Sequence, residues 1–409
     1  MKRLLVILPY VPFPIRRGTF QRVFHLTEQL AEAFSVDLFC LSTEPEDHEQ
    51  LDRFQAMCER VEFSDFQHPP WPSFWTDRVW NPQPTTIRHW YSPDVERALG
   101  EFVSGQSYDC IFWVDIVLWP YVKRFFADHN CLVMDRSRVD WLFQREELAT
   151  LNDTAWGRFM RRENLMKIAR AEREVIQQIS LEVVCGLEDK DFLDERLGLP
   201  ERVYVLPNGA NTDFFDATEW PPEPTVYPSA LFCGALDYTP NTDAMRWYFD
   251  EIHHRILSER PDYQLILVGK NPTEEVKAYA KQPGVVFEGE VPDVRPFYQK
   301  AWMQVVPLRI GGGTRLKIVE GLSMTNPVVS TTLGAQGLDL DHDHELLLAD
   351  SAADFADACV QLIDNASLRR KLASAGRSKV LDTYTWAALG ERLIQKLQRL
   401  RTSNELSTR

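Results

Sequence analysis

The amino-acid sequence predicts an α/β fold made of two doubly wound parallel-sheet domains. Short apolar runs of strand length alternate along the chain with amphipathic segments of helical period. This alternation begins at Leu4–Leu8 and begins again at Ala230–Leu236, after a stretch with four prolines between residues 221 and 228. We therefore expect one domain over residues 1–215, a linker over residues 216–229 and a second domain over residues 230–385.

The first domain opens as strand, loop, helix and strand, which is how Rossmann-like domains begin. Leu4–Leu8 has the character of a buried strand, Phe20–Ala33 has apolar residues at helical spacing, and Val36–Leu41 is the next strand. Gly18 stands just before the helix, where a backbone without a side chain could admit a phosphate group. An ordinary turn glycine is the alternative.

Two later strands of this domain are each followed by an acidic residue. The runs Cys110–Val114 and Cys131–Met134 are apolar. Ligands of open α/β sheets bind beyond the carboxyl ends of the strands. The candidates on this ground are Asp115, Asp135, Arg136 and Asp140. The alternative for each acid is a structural role as a loop or helix-capping residue.

The second domain contains a glycine triplet between a predicted strand and a predicted helix. The apolar run Met303–Leu308 precedes it, the amphipathic segment Thr314–Ser323 follows it, and Val328–Thr331 is predicted to be the next strand. Glycines let a ligand approach the backbone, and the amides that open a helix favour an anion. The candidate backbone contacts are Gly312, Gly313 and Thr314, and the candidate cations are Arg309, Arg315 and Lys317.

Glu320 lies three residues after Lys317, so the two side chains share a face of the predicted helix. A carboxylate beside an anion site is suited to the hydroxyl groups of a sugar rather than to phosphate. These residues indicate a nucleotide diphosphate that carries a sugar. An ordinary strand–helix–strand crossover with an ion-paired helix face is the alternative, because a glycine loop alone is a weak signal.

The composition of the chain argues against some classes of function. The chain has 45 basic and 60 acidic residues and a formal charge of −15, which argues against a general nucleic-acid-binding protein. Its seven cysteines include no CxxC pair and predict reduced thiols in a cytoplasmic protein. No apolar run reaches the ~18 residues of a membrane span. A basic run leaves open a peripheral contact with the inner membrane face, with a solvated helix face as the alternative: Arg158, Arg161, Arg162, Lys167 and Arg170.

Three further segments carry expectations. Residues 66–91 hold four tryptophans and five prolines, and we expect a loop that packs its own aromatic rings, with contact to an acceptor, a partner or a membrane as the alternative. Asp341–Glu345 alternates Asp and His without a standard zinc spacing, so we expect a solvated loop and no metal site. Residues 386–401 are expected to form a helix that packs back toward the first domain, before a disordered polar tail from Thr402.

Five motifs occur in a fixed order along most of the chain: PNGANTDFF (207–215), FCGALDYTPNTDAMRWYFDEI (232–252), LILVGKNP (265–272), VVFEGEVPDVRPFYQKA (285–301) and the glycine-triplet stretch (305–338). In this order they resemble retaining glycosyltransferase family 4, and most closely its subset associated with exopolysaccharide and sugar-transferase operons. The resemblance implies the GT-B fold, in which two Rossmann-like domains face each other across a cleft. It also implies a UDP- or GDP-sugar donor, a glycan, lipid-linked or small-molecule acceptor, front-face attack, and neither a cofactor nor a metal.

The resemblance assigns roles by position. Glu320 would hold the ribose hydroxyls of the nucleotide. Contacts to the donor diphosphate would come from Arg309, Arg315, Lys317 and Gly18. The first loop of the donor domain would lie between Gly234 and Asn241, and the backbone around Val291 would contact the base.

The sequence departs from the family pattern at three places. Gly312 stands where a second glutamate often contacts the donor sugar, and Arg17-Gly18 replaces a double glycine. Val114 and Asp115 occupy the region of a frequent histidine, so Asp115 is the candidate for orienting the acceptor. These departures leave open two alternatives, a non-catalytic glycosyltransferase-like binding subunit and a sugar-nucleotide epimerase of GT-B type. The oligomeric state is not predicted.

Overall fold

A computed structural model describes residues 2–15, 18–69, 81–150, 154–311 and 315–407. By its contacts the chain divides into two compact units. The first combines Met1–Leu206 with Gly390–Arg409, and the second is Pro207–Leu389. Residues 216–229, which we interpreted as a linker, belong to the second unit. Their backbone donates hydrogen bonds there from Glu223 N to Gln299 O at 2.9 Å and from Thr225 N to Lys300 O at 3.0 Å.

The first unit is built on a seven-stranded parallel sheet with the strand order β3-β2-β1-β4-β5-β6-β7. Its strands are β1 (Arg3–Leu8), β2 (Ser35–Ser42), β3 (Arg60–Asp65), β4 (Cys110–Val114), β5 (Leu132–Arg136), β6 (Leu181–Val184) and β7 (Val203–Val205). Every pairing is parallel. The chain order reverses between β1 and β4, which is where open α/β sheets bind ligands.

Helices cover this sheet, and their apolar residues recur at helical spacing on the side that packs against the strands. In α1, for example, Val23, Leu26 and Leu30 are buried. The helices are α1 (Gly18–Ala33), α2 (Leu51–Gln55), α3 (Thr85–His89), α4 (Pro93–Val103), α5 (Trp119–Phe126), α6 (Asp140–Thr150), α7 (Ala155–Gln178) and α8 (Leu187–Leu197). Short 3₁₀ turns lie at Pro45–Gln50, Ile116–Leu118 and Pro200–Arg202.

The second unit is built on a six-stranded parallel sheet with the order β10-β9-β8-β11-β12-β13. Its strands are β8 (Ser229–Cys233), β9 (Gln264–Val268), β10 (Val285–Gly289), β11 (Met303–Val306), β12 (Val328–Ser330) and β13 (Leu347–Leu348). Here the chain order reverses between β8 and β11. The predicted fold class, two Rossmann-like parallel-sheet domains, is confirmed.

The helices of the second unit are α9 (Thr239–Trp247), α10 (His253–Glu259), α11 (Glu274–Tyr279), α12 (Arg295–Lys300), α13 (Leu316–Ser323), α14 (Ala352–Asp364) and α15 (Ala366–Thr383). A wider π-type turn at Tyr248–Ile252 joins α9 to α10. The last helix, α16 (Trp386–Ser407), starts in the second unit and continues into the first.

The expectation of a disordered tail from Thr402 was wrong. Between Thr402 and Ser407 the sequence has neither proline nor glycine, so nothing breaks the hydrogen-bonding pattern of α16. Among the helices of the described residues, none has the length and apolar character needed to cross a membrane.

Candidate functional site

Three neighbouring strands of the second unit run into glycine at their carboxyl ends. Gly234 follows β8, Gly269 follows β9, and Gly289 ends β10. A Cβ atom at Gly269 would lie 1.9 Å from the carbonyl oxygen of Gly234, so a side chain there is sterically excluded. The backbones of these strand ends therefore lie in direct contact, beside the point at which the strand order reverses.

The ammonium group of Lys317, in the first turn of α13, is directed at this point. Its Nζ donates a hydrogen bond of 2.9 Å to Oδ1 of Asn241, whose Nδ2 donates to the carbonyl oxygen of Ala235 at 2.8 Å. A Cβ atom at Gly234 would lie 2.8 Å from that amide nitrogen and 3.1 Å from Nζ. Gly234 also has a φ of +154°, which L side chains rarely adopt. The bare backbone of Gly234 thus leaves the space in front of Lys317 open.

The surroundings of Lys317 disfavour its charge in the absence of a ligand. The contact of its Nζ with the Phe232 ring on β8, 4.2 Å from the ring centre, favours the charged form, whereas burial opposes it. Burial lowers the pKa of Lys317 to about 8, and the neighbouring charge of Arg315 acts in the same direction. A bound anion would restore the charge. A group with this property is suited to binding an anion, and that role of Lys317 stays a prediction.

Glu320 lies one turn after Lys317 in α13 and is partly exposed. Burial raises its pKa to about 7, and the positive charge of Lys317 offsets only part of that effect. Among the residues that the structure describes, none donates a hydrogen bond to this carboxylate. A desolvated carboxyl group of this kind is suited to receiving donors from a ligand.

Two arginines lie near the glycine triplet. The guanidinium group of Arg309 donates to both carboxylate oxygens of Asp243, at 2.9 and 3.2 Å, and lies 5.3 Å from the ring centre of Trp247. Arg315 donates to the carbonyl oxygen of Gly311. Arg309 thus shares its charge with a carboxylate in this structure. Gly312, Gly313 and Thr314, the predicted backbone contacts, lie outside the described residues.

A buried polar network lies between α13 and the sheet. The Tyr298 hydroxyl lies 3.0 Å from the Cys233 sulfur, and Nε2 of Gln304 donates to that hydroxyl at 3.3 Å. A Cβ atom at Gly321 would lie 2.1 Å from Oε1 of Gln304, so the helix packs backbone-first against β11. This close packing sets the height of Lys317 above the sheet.

Val291 follows β10 at the same edge of the sheet, and its side chain packs against the cluster that includes Phe215 and Tyr298. Gly289, two residues earlier, has a φ of +69°, a conformation that favours glycine. The structure therefore holds the Val291 loop next to the strand ends, and its role in base contact stays a prediction.

In the first unit, Gly18 is the first residue of α1 and Asp115 follows β4, on either side of the point where the strand order reverses. Asp115 has a φ of +72°, which is unusual for a residue with a side chain, and its carboxylate accepts a hydrogen bond from Val117 N at 3.3 Å. Burial, and then the nearby charge of Asp140, raise the pKa of Asp115 to about 7. A strained, desolvated acid at this edge is compatible with the predicted acceptor role.

Asp135 and Arg136 are structural residues, contrary to their place among the candidates. Both lie inside β5 rather than beyond it, and both are buried. The Arg22 Nε donates to Asp135 at 3.0 Å, while Arg136 forms a buried cluster with Glu172, at 2.8 Å, and with Glu182. These ion pairs leave neither residue available to a ligand.

Two other segments were singled out in the sequence, the turn Asp341–Glu345 and the aromatic stretch of residues 66–91. In the turn from Asp341 to Glu345, Glu345 accepts a hydrogen bond from Asp341 N at 2.7 Å and contacts His344 Nδ1 at 2.6 Å. No group of His, Cys, Asp or Glu suited to a metal occurs among the described residues. At the ends of the aromatic stretch, Phe66 and Trp90 stack at 5.6 Å, whereas residues 70–80 lie outside the description.

Sequence reasoning missed three residues of this site: Phe232, Asp243 and Gln304. Phe232 and Asp243 act through partners that are distant in the chain, since 66 residues separate Asp243 from Arg309, whereas Gln304 contacts Tyr298 six residues away. Of the three, Asp243 alone carried a signal. It lies two residues after Asn241, a predicted site residue.

The chain is similar to known proteins over part of its length. Residues 227–365, within the second unit, match the family model described as "Glycosyl transferases group 1". A phosphatidyl-myo-inositol mannosyltransferase of Mycobacterium leprae is 27% identical over 211 residues, covering 48% of this chain and 54% of that protein. An uncharacterized 44.6 kDa protein in the cps region of Klebsiella pneumoniae is 24% identical over 165 residues, covering 38% and 42%. The chain thus spans about half the length of these curated relatives.

Solved structures with a similar fold cover nearly the whole chain. Sucrose-phosphate synthase from Thermosynechococcus elongatus has a TM-score of 0.70 at 18% identity, over 98% of this chain and 100% of that one. HepE of Anabaena in complex with UDP has a TM-score of 0.65 at 13% identity, over 98% and 100%. These structures are GT-B proteins, and the chain has the GT-B fold.

Proposed function

We propose that the protein is a retaining glycosyltransferase that transfers a sugar from a nucleotide-diphosphate donor bound in the second unit. One observation carries the proposal. The Lys317 ammonium is fixed by Asn241 beside the bare backbone of Gly234, where the strand order reverses, and Glu320 lies one helical turn away. This combination provides a cation for a diphosphate and a carboxylate for a ribose.

Charge on the leaving diphosphate is the main quantity that the site has to stabilise. Lys317 is the half-buried cation, and Arg309 and Arg315 are the further cations at the glycine triplet. Groups fixed in advance toward a developing charge contribute on the order of 3 kcal/mol each to lowering a barrier. We therefore propose that these side chains, with the amides that open α13, support transfer without a metal or cofactor.

Glu320 would accept hydrogen bonds from the two ribose hydroxyls of the nucleotide. Hydrogen bonds to the ionised form lower a carboxyl pKa, so the nucleotide would offset the desolvation that now raises it. The name of the Mycobacterium relative and the UDP-glucose complex of Anabaena HepE support a hexose donor with UDP or GDP. Retention and a glycan, lipid-linked or small-molecule acceptor rest on the resemblance that the five sequence motifs carry. Cytoplasmic action rests on the cysteine pattern, and Asp115 as the group that orients the acceptor rests on its position after β4.

The first test is thermal stability in the presence of UDP, GDP, ADP and their sugar conjugates. A nucleotide that binds the folded state raises the free energy of unfolding by mass action, by about 2.7 kcal/mol at a ligand concentration 100 times the Kd. The melting temperature rises with it. We expect one nucleoside diphosphate to give this shift, and Glu320→Ala to abolish it. Glu251→Ala is the matched control, because Glu251 is exposed on the same unit.

A second test follows the labelled donor that binds. Transfer or slow hydrolysis with release of the nucleoside diphosphate is expected, and the anomeric configuration of the product reports retention. Binding without release of nucleotide would favour the non-catalytic subunit, and an isomerised sugar still attached to its nucleotide would favour the epimerase. No thermal shift with any nucleotide would contradict the donor site itself.

A further inference from the structure

The helix α7 of the first unit exposes a face that mixes large apolar and basic side chains. Trp156, Phe159, Arg162, Met166 and Arg170 follow one another at spacings of three or four residues, so they line one side of the helix. All five are exposed, Trp156 by 59%, Phe159 by 52% and Met166 by 67%. We call this set the exposed face of α7. The rings of Trp156 and Phe159 stack at 5.6 Å, which presents them as one apolar surface.

The fold does not require this face to be apolar. The opposite side of α7 supplies the buried residues of the helix, among them Met160, Ile168 and Val175. Its first turn is capped by Thr154, which accepts a hydrogen bond from Gly157 N at 3.0 Å. Since the buried side and the cap account for the position of the helix, exposed Trp, Phe and Met side chains cost solubility without stabilising the unit.

The charge of this helix opposes that of the whole chain. Between Ala155 and Arg170 there are five basic residues and one acidic residue, although the protein has a formal charge of −15. The acidic residue, Glu163, is paired with Lys167. Arg158 and Arg161 are exposed beside the apolar side chains and extend the basic surface. The helix is therefore a local cationic surface on an acidic protein.

We propose that the exposed face of α7 binds an anionic phospholipid surface. Arginines attract anionic headgroups, whereas tryptophan and phenylalanine insert at the boundary between headgroups and acyl chains. The general negative charge repels the same surface, so the protein binds in the one orientation that brings α7 to the lipid. Phe143, 41% exposed on the neighbouring helix α6 with the Arg138 guanidinium 4.1 Å from its ring centre, adds a second apolar and basic pair.

Co-sedimentation of the full chain with lipid vesicles tests this surface. We expect binding to vesicles of phosphatidylglycerol and phosphatidylcholine, weaker binding as salt increases, and none to phosphatidylcholine alone. A basic residue near such a surface contributes about fivefold to the partition coefficient, so replacing Arg158, Arg162 and Arg170 by Gln should lower it by roughly 100-fold. Trp156→Ser with Phe159→Ser should lower it by about tenfold or more.

The controls separate this inference from the donor site and from misfolding. A matched triple variant, Arg97→Gln with Arg124→Gln and Arg255→Gln, removes three exposed arginines elsewhere and should bind vesicles like the wild type. All variants should keep the thermal unfolding of the wild type and its shift with nucleotide, since α7 holds no donor contact.

Three results would overturn the proposal. One is the absence of binding to anionic vesicles, which would make the face a solvated helix surface. Another is an equal loss of vesicle binding in the α7 triple variant and in the matched triple variant, which would mean that binding depends on the total charge and not on the exposed face of α7. The third is wild-type self-association, measured by sedimentation velocity, that disappears with Trp156→Ser while vesicle binding does not change.

Discussion

The substitution Glu320→Gln should stabilise the unliganded protein while weakening its response to nucleotide. The physical reason is the raised pKa of this carboxyl group, about 7 against an ordinary 4.5. A carboxyl whose pKa is raised by folding binds a proton more tightly in the folded state. Stability is therefore lost as pH rises from the unfolded pKa toward the folded one, and the loss is complete above pH 7. Glutamine has the same shape and carries no charge to desolvate.

The magnitude follows from the width of that window. Each pKa unit corresponds to about 1.4 kcal/mol, so the shift corresponds to at most about 3 kcal/mol. Glu320 is partly exposed, and solvent screening reduces this to about 2 kcal/mol. For a unit of this size that is a rise of roughly 6 °C in melting temperature at pH 8. At pH 5 the same substitution should change the melting temperature by less than about 2 °C.

The assay is thermal unfolding of the wild type and Glu320→Gln at pH 5 and pH 8, with and without the nucleoside diphosphate that binds. Glu251→Gln, on the surface of the same unit, controls for the loss of a negative charge. At pH 8 the variant should have a higher melting temperature than the wild type without ligand. The increase in melting temperature on adding nucleotide should be smaller for the variant than for the wild type. A variant that is less stable than the wild type at pH 8, or equally shifted at both pH values, would refute the desolvation argument.

Three further predictions concern the same fold. Lys317→Met should lower transfer by about 100-fold or more in steady-state assays. Nucleotide binding to the wild type at pH 8 should be accompanied by proton uptake, because an anion raises the lowered pKa of this lysine. Calorimetry in buffers of different ionisation enthalpy should detect this uptake, and Lys317→Met should abolish it. Gly234→Ala should weaken nucleotide binding by roughly tenfold, measured by titration, because its Cβ would meet Nζ of Lys317 at 3.1 Å. Arg136→Met should lower the free energy of unfolding in urea by about 3–5 kcal/mol, because Glu172 and Glu182 would stay buried without their cation.

The sequence predicted the sheets well where strands are buried on both faces. Leu4–Leu8 is a run of apolar residues, and the structure confirms a central strand there. Arg60–Asp65 was missed because β3 pairs with β2 alone at the edge of the sheet and has no continuous apolar run. Its strand character comes from its neighbour rather than from its own composition.

The candidate site was predictable to the extent that its groups lie close together in the chain. Lys317 and Glu320 share one helix, so their spacing alone placed them on one face. For Asp135 the sequence left a ligand contact and a structural role open, because the residue that neutralises it, Arg22, is 113 positions away and no local pattern reveals the pair. An acid after an apolar run indicates a strand end or a buried ion pair with equal force, and only tertiary structure separates the two.

The division of the chain into two units also fixes an order of assembly during synthesis. The second unit is one continuous segment, whereas the first is completed only by residues from Gly390 onward. A Cβ at Gly390 would lie 2.5 Å from Cβ of Gln29, and Leu393 and Leu397 of α16 are buried. Domains usually fold as they emerge from the ribosome, the earliest first. Here the unit that is translated first keeps an uncovered apolar surface until the last helix arrives, so its final step of folding follows that of the unit translated after it.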